Sequence, residues 1–268
     1  MAQVSTGVLS GGSPYLAAGH GPPLVSALGL TPTHEAPSGM ERRMAMSSAK
    51  VWGGDFRVYV VNRKQGLEPG ETMSDIAGHL ATGIEEEFGG PVFLTGTSTG
   101  GSVALQLAVD RPDLVSALVM IASAYRLGSR GRQIQQEMAR LTRAGDAAAG
   151  WAQMWTAMMP APLRSPMLPV ARVLMRSSAP EDPNDLLVTL DAEDAFDAGE
   201  QLAEVSAPTL VIGGAKDVFY SRELFEQTAA RVQNGRAHVY PGWGHGRTST
   251  SSTTAHLALG FLLAARGA

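Results

Sequence analysis

The chain contains no cysteine in its 268 residues, which excludes thiol nucleophiles, disulfide frameworks and cysteine-based zinc or iron–sulfur sites. Any covalent catalysis must use another residue. Charge is also sparse, at 17% of the composition, and 21 basic against 25 acidic side chains leave a net −4. A phosphate-backbone partner calls for a clustered basic face, so nucleic acid is not expected as a partner. No apolar run reaches the roughly 18 residues of a membrane span, and the most apolar late segment, 256–265, is far too short. The first thirty residues carry neither Lys nor Arg and are broken by glycine and proline, so no signal peptide is expected. The protein is expected to be soluble and cytoplasmic. The histidines at 34, 79, 238 and 256 have no metal-ligand spacing, so neither a metal nor another cofactor is expected.

What is present is a hydrophobic content of 44%, in a chain long enough to hide roughly 70–75% of its unfolded surface. Short apolar or β-branched runs alternate with segments of helical period, the pattern of an α/β protein with a mostly parallel central sheet flanked by helices. Strands are expected at 15–18, 56–61, 92–95, 117–121, 209–212 and 238–240. Ile76, Leu80, Ile84 and Phe88 recur every four residues and predict a helix. Further helices are expected at 102–109 and 253–265. The rhythm breaks over 125–205, where several helix-like pieces are punctuated by six prolines, from Pro160 to Pro183. This predicts an inserted helical cap on a core formed by 1–124 and 206–268. Trp151, Met154, Trp155, Met158 and Met159 concentrate in the insertion. Apolar stripes are usually packing, and the sharper expectation is that Trp155 and Met158, with Trp243, line a substrate pocket.

Gly96-Thr97-Ser98-Thr99-Gly100 is a Gly-x-Ser-x-Gly pattern, which places a serine on a tight turn between a strand and a helix. With 31 glycines in the chain the pattern arises by chance about 0.3 times, so its context decides. Pro91 to Thr95 is a strand candidate before it, and Ser102 to Val109 a helix candidate after it. Ser98 then sits at a helix N-terminus, where free N–H groups favour a developing oxyanion. A serine hydroxyl needs a base, and the base needs an acid to hold its tautomer. The apolar run Thr209-Leu-Val-Ile-Gly-Gly ends near Asp217, and His245 follows in Tyr240-Pro-Gly-Trp-Gly-His. Parallel strands share one carboxyl edge, so Ser98, Asp217 and His245 are expected to converge there. Helix capping by Asp217 and an ordinary loop position for His245 are the duller alternatives.

With these motifs in that order, the chain resembles the α/β-hydrolase family, in its capped esterase, lactonase and peroxidase-like branch. The resemblance covers nearly the whole chain. It implies that Ser98, Asp217 and His245 are catalytic, that the Thr99 amide is one oxyanion donor, and that His20-Gly21 begins the loop supplying the other. In that alignment the second donor falls on Pro22, which has no N–H, so the loop would have to shift to offer Leu24. His20 and Gly21 are expected near the substrate. The main functional expectation is a serine hydrolase cleaving a carboxylic ester, lactone or thioester of an apolar small molecule. The proline-filled loop motivates two alternatives: a cofactor-free lyase, cyclase or isomerase acting on a bulky apolar metabolite, and a ligand receptor with a vestigial triad. The sequence leaves the oligomeric state open.

Overall fold

The computed structural model describes residues 4–267. Its elements in chain order are β1 (Ser5–Val8), β2 (Pro14–Gly19), β3 (Pro23–Ala27), α1 (Gly39–Trp52), β4 (Arg57–Val61), α2 (Met73–Phe88), β5 (Val92–Thr97), α3 (Thr99–Asp110), β6 (Val115–Ile121), α4 (Ser129–Arg143), α5 (Ala147–Ala157), α6 (Ala161–Met175), α7 (Asn184–Ala195), β7 (Thr209–Gly214), α8 (Arg222–Arg231), β8 (Gly235–Tyr240), α9 (His245–Thr250) and α10 (Ser252–Arg266). The strands form one sheet in the order β1-β2-β4-β3-β5-β6-β7-β8. β1 and β2 form an antiparallel pair, β2 runs antiparallel to β4, and every later pairing is parallel.

All six expected strands are present, and the sheet is mostly parallel, as the alternating pattern implies. The central strands β5, β6 and β7 are apolar runs buried on both faces, as a parallel sheet covered by helices requires. α2 starts at a capping box, with Thr72 and Asp75 bonding each other's backbone N–H, and ends at Gly89 with φ 66°. Its Ile76, Leu80 and Ile84 are buried.

Strands β1 and β3 and helices α1, α8 and α9 are not among the elements expected from the sequence. β1 is a four-residue edge strand with alternate residues exposed. β3, Pro-Leu-Val-Ser-Ala, is short and opens on proline, a residue tolerated at a strand's first position. It nevertheless lies between β4 and β5, with Leu24 and Val25 fully buried. α1 begins twelve residues after β3 and has no sustained apolar repeat to mark it.

Two apolar cores sandwich the sheet. On one face α1 and α10 bury Trp52, Ala255, Ala258 and Leu262 against β4, β6 and β7, and the Trp52 indole N–H donates to the Ala255 carbonyl at 2.8 Å. On the other face α2, α3 and α8 pack with α4, α5 and α7, three of the helices inserted between β6 and β7. Met138, Met154, Leu186 and Leu190 of that insertion lie in the same continuous cluster as Val103 and Leu105 of α3.

Candidate active site

The turn from β5 into α3 is built by close approach. A Cβ on Gly96 would lie 2.2 Å from the Gly100 carbonyl oxygen, and one on Gly100 would lie 2.3 Å from that of Ala27. Only hydrogen fits at either point, which lets α3 start directly against β3. Between them Ser98 is forced to φ 54°, ψ −126°, a strained conformation for a residue with a Cβ. The Ser98 N–H donates to Ile121 O at 2.9 Å, fixing the turn to β6. Thr99 is the first residue of α3, so its N–H is one of the donors that a helix start leaves without an intrahelical acceptor.

Asp217 follows the last residue of β7 by three positions, and its side chain is fully buried. Its Oδ1 accepts the Phe219 N–H at 2.8 Å and the Tyr220 N–H at 3.3 Å. That leaves Oδ2 for the imidazole, 2.8 Å from His245 Nδ1. A carboxylate only accepts, so Nδ1 carries the proton and Nε2 presents its lone pair. The Ser98 hydroxyl lies 3.0 Å from that Nε2. The duller alternative for Asp217 fails, because the N-cap of α8 is Ser221, whose side chain accepts from Leu224 N–H. His245 opens α9 after Gly244, and its loop is braced by Trp243, whose carbonyl accepts Lys216 N–H at 2.8 Å. The Trp243 ring stacks on Tyr240 with centroids 3.8 Å apart, and the Arg247 guanidinium lies 4.5 Å from its centre. Phe219 meets the imidazole edge-on at 4.7 Å.

The expected second oxyanion loop is misplaced. β3 runs parallel to β5, with Ala27 level with Gly96 and Leu24 with Phe93, so the N-terminal end of β3 lies at the opposite sheet edge from Ser98. His20, Gly21 and Pro22 precede β3 and form the turn from β2, where a Cβ on Gly21 would lie 2.6 Å from Asp55 O. Leu24 is an interior strand residue with no exposure. None of the four is near the serine. The segment that does reach it follows β3: a Cβ on Gly29 would lie 3.4 Å from Ser98 Cβ and 3.2 Å from Thr97 O.

Arg63, two residues past β4, orients that segment. Its guanidinium donates to the Leu28 and Gly29 carbonyls at 3.2 and 3.1 Å and to Thr31 Oγ1 at 2.9 Å. Carbonyl and N–H point in opposite directions across a trans peptide. The Gly29 carbonyl is held by the Arg63 guanidinium, so the Leu30 N–H of the same peptide points away from Arg63. Leu30 is not proline and carries the N–H that Pro22 lacks, and it follows β3 where Pro22 precedes it. The detectable signal was topological: the loop must follow the strand that pairs with the one before the serine.

A cavity of about 440 Å³ opens beside the turn. Leu28, Leu30, Trp52 and Ile121 supply apolar wall, Thr97 and Ser249 hydroxyls, and Arg43 a charge. Trp155, Met158 and Trp243 are not among its walls. Met158 is 38% exposed at the end of α5 and Trp155 is half-buried on the same helix, while Trp243 supports the histidine loop as described. The apolar concentration in the insertion is accounted for in part by packing, since Met154 is buried in the shared core.

A family model described as "Alpha/beta hydrolase family" matches residues 16–253. Among curated proteins, the "Putative carbamate hydrolase RutD" of Klebsiella pneumoniae is 26% identical over 190 residues, covering 70% of this chain and 71% of that one. Among solved structures, a hydrolase from Pseudomonas aeruginosa superposes with TM-score 0.74 at 21% identity over 99% of both chains. A thermophilic esterase from Thermogutta terrifontis does so with TM-score 0.69 at 22% identity, over 99% of this chain and 98% of that one.

Proposed function

Because the chain belongs to the alpha/beta hydrolase family, we propose that it is a serine hydrolase that opens an ester, lactone, thioester or carbamate carbonyl of a small molecule through Ser98, His245 and Asp217. The observation that carries this reading is the unbroken relay from Asp217 Oδ2 through the imidazole to the Ser98 hydroxyl, at 2.8 and 3.0 Å. The curated relative is named a putative carbamate hydrolase and the solved neighbour an esterase, and carbamates and esters are both cleaved at a carbonyl carbon that bears a heteroatom leaving group.

Ser98 Oγ adds to the carbonyl carbon while its proton passes to His245 Nε2. The imidazolium formed is stabilised by Asp217, which keeps its own negative charge. The carbonyl oxygen becomes an oxyanion held by the N–H groups of Thr99 and Leu30. Collapse expels the leaving group, which takes the proton from Nε2, and an acyl-serine remains. Water then adds to the acyl carbon with His245 as base, and the acid leaves as Ser98 recovers its proton. The cavity beside Gly29 and Thr97 takes the part of the substrate next to the carbonyl, an apolar body with room for a polar group among the hydroxyls and near Arg43.

The non-hydrolytic alternatives rested on a proline in the oxyanion loop. With Leu30 proposed as the second donor, no observation favours them. The test is labelling by a fluorophosphonate together with turnover of p-nitrophenyl esters. The parent should take one label at Ser98, and Ser98→Ala should lose both labelling and turnover, the latter by at least roughly a thousandfold. A parent that stays unlabelled while a control esterase reacts would refute the hydrolase reading.

A further inference from the structure

Glu193 lies in α7, within the insertion, 95 positions after the candidate nucleophile along the chain, and is 1% exposed. It accepts four hydrogen bonds. Thr99 Oγ1 donates to Oε2 at 2.6 Å and the Gln135 amide to the same oxygen at 3.1 Å. Ser102 Oγ donates to Oε1 at 3.1 Å and the Tyr220 hydroxyl to the same oxygen at 3.2 Å. Two bonds per oxygen fill a carboxylate's acceptor sites. The donors come from the first turn of α3, from α4 and from the loop holding Asp217. Burying a carboxylate costs several kcal/mol unless it is fully bonded, so an apolar residue here would serve packing at least as well. The short bond is to Thr99, the residue whose N–H is the proposed oxyanion donor.

We propose that Glu193 is a positioning residue: through the Thr99 hydroxyl it fixes the first turn of α3 and so holds the Thr99 N–H on the developing oxyanion. The seating of the insertion is thereby coupled to the transition state and not to substrate affinity. The inference rests on the hydrolase reading. An interaction felt only in the transition state changes kcat and leaves KM alone.

The experiment compares Thr99→Val, which keeps shape and removes the hydroxyl, with Glu193→Gln, their double variant, Thr99→Ser and Ser102→Ala, using a p-nitrophenyl ester and the rate of fluorophosphonate labelling. T99V and E193Q should each lower kcat about tenfold with KM within about twofold, less than removal of a whole oxyanion donor. The double variant should lose little more than either single, because both break one link. T99S should recover most of what T99V loses. S102A removes a bond that ties the insertion to α3 without touching Thr99, and should keep kcat within about twofold. Parent-like kcat in T99V, equal losses in S102A and T99V, or losses confined to KM would overturn the inference while leaving the hydrolase reading intact. A parent that neither labels nor turns over would remove both. Should E193Q not fold, T99V and its rescue by T99S decide.

Discussion

His34 shows how far a single residue departs from what its identity suggests. In the sequence it is one of four histidines without metal spacing, to be read as packed or solvated. In the fold it is 1% exposed, with Nδ1 donating to Lys64 O at 2.8 Å and Nε2 accepting the Arg63 Nε–H at 3.1 Å. Burial, and then the Arg63 charge beside it, push its pKa from 6.5 down to about 3. It therefore stays neutral and serves as the acceptor that steadies the guanidinium holding the Leu28 and Gly29 carbonyls. The unfolded chain takes up a proton near pH 6.5 that the folded chain refuses until about pH 3. Stability is therefore complete above pH 6.5 and declines as pH falls toward 3, by up to about 1.4 kcal/mol per pH unit. Urea unfolding between pH 7 and 4 should show this slope, and His34→Gln should flatten it, at some cost in stability at pH 7. An unchanged slope in the variant would mean that other groups govern the acid limb. Ser98, Asp217 and His245 could be picked out because a proton relay restricts residue type and parallel strands bring their carboxyl ends to one edge of the sheet. Arg63, His34 and Glu193 could not, because a buried charge is recognisable only once its partners are in place.

Among the elements, legibility followed length and burial. β5, β6, β7 and α2 carry uniform apolar runs or a sustained four-residue repeat, and all were found with small boundary errors. β3 is five residues long, begins with proline and contains Ser26, so no periodicity marks it. Missing it moved the oxyanion loop to the wrong side of the sheet, because His20-Gly21 then became the nearest His-Gly pair after a strand. The glycines of the turn are points of close backbone contact. Two helical glycines give opposite outcomes for the same substitution. Gly100 in α3 has main-chain oxygens of Ala27 and Leu28 at 2.3 and 2.4 Å from any added Cβ. Backbone there cannot yield without parting α3 from β3, so Gly100→Ala should lower stability by about 2–4 kcal/mol or prevent folding. Gly78 in α2 is exposed and a Cβ there meets nothing within 4 Å. Gly78→Ala should raise stability by about 0.5–1 kcal/mol by reducing the freedom of the unfolded chain. Denaturant midpoints of the two variants should move in opposite directions. A tolerated G100A would mean that the turn is looser than its contacts indicate.

For the whole molecule, the question is whether the inserted helices behave as a separate body. Pattern alone suggested a lobe, since prolines crowd 160–183 and no strand interrupts them. The contacts run the other way. Met138, Met154, Leu186 and Leu190 share one apolar cluster with α3. Asp185 accepts the N–H groups of Gly66 and Leu67 at 3.0 and 2.8 Å, and Asn184 donates to Leu67 O at 2.7 Å. Glu193 adds its bonds to Thr99, Ser102 and Tyr220. Detaching the helices would break these bonds and expose the apolar residues that α3 shares with the insertion, so the insertion is expected to unfold together with the sheet. The four tryptophans allow this to be measured, because Trp52 and Trp243 lie in the sheet-and-flank portion and Trp151 and Trp155 in the insertion. Two double variants, Trp52→Phe with Trp243→Phe and Trp151→Phe with Trp155→Phe, each leave one region fluorescent. In both, the fluorescence transition in urea should coincide with that of far-ultraviolet circular dichroism, as a single cooperative unit requires. An earlier fluorescence transition only where Trp151 and Trp155 remain would show the insertion unfolding first, and the Glu193 link would then be too weak to hold the Thr99 amide through it.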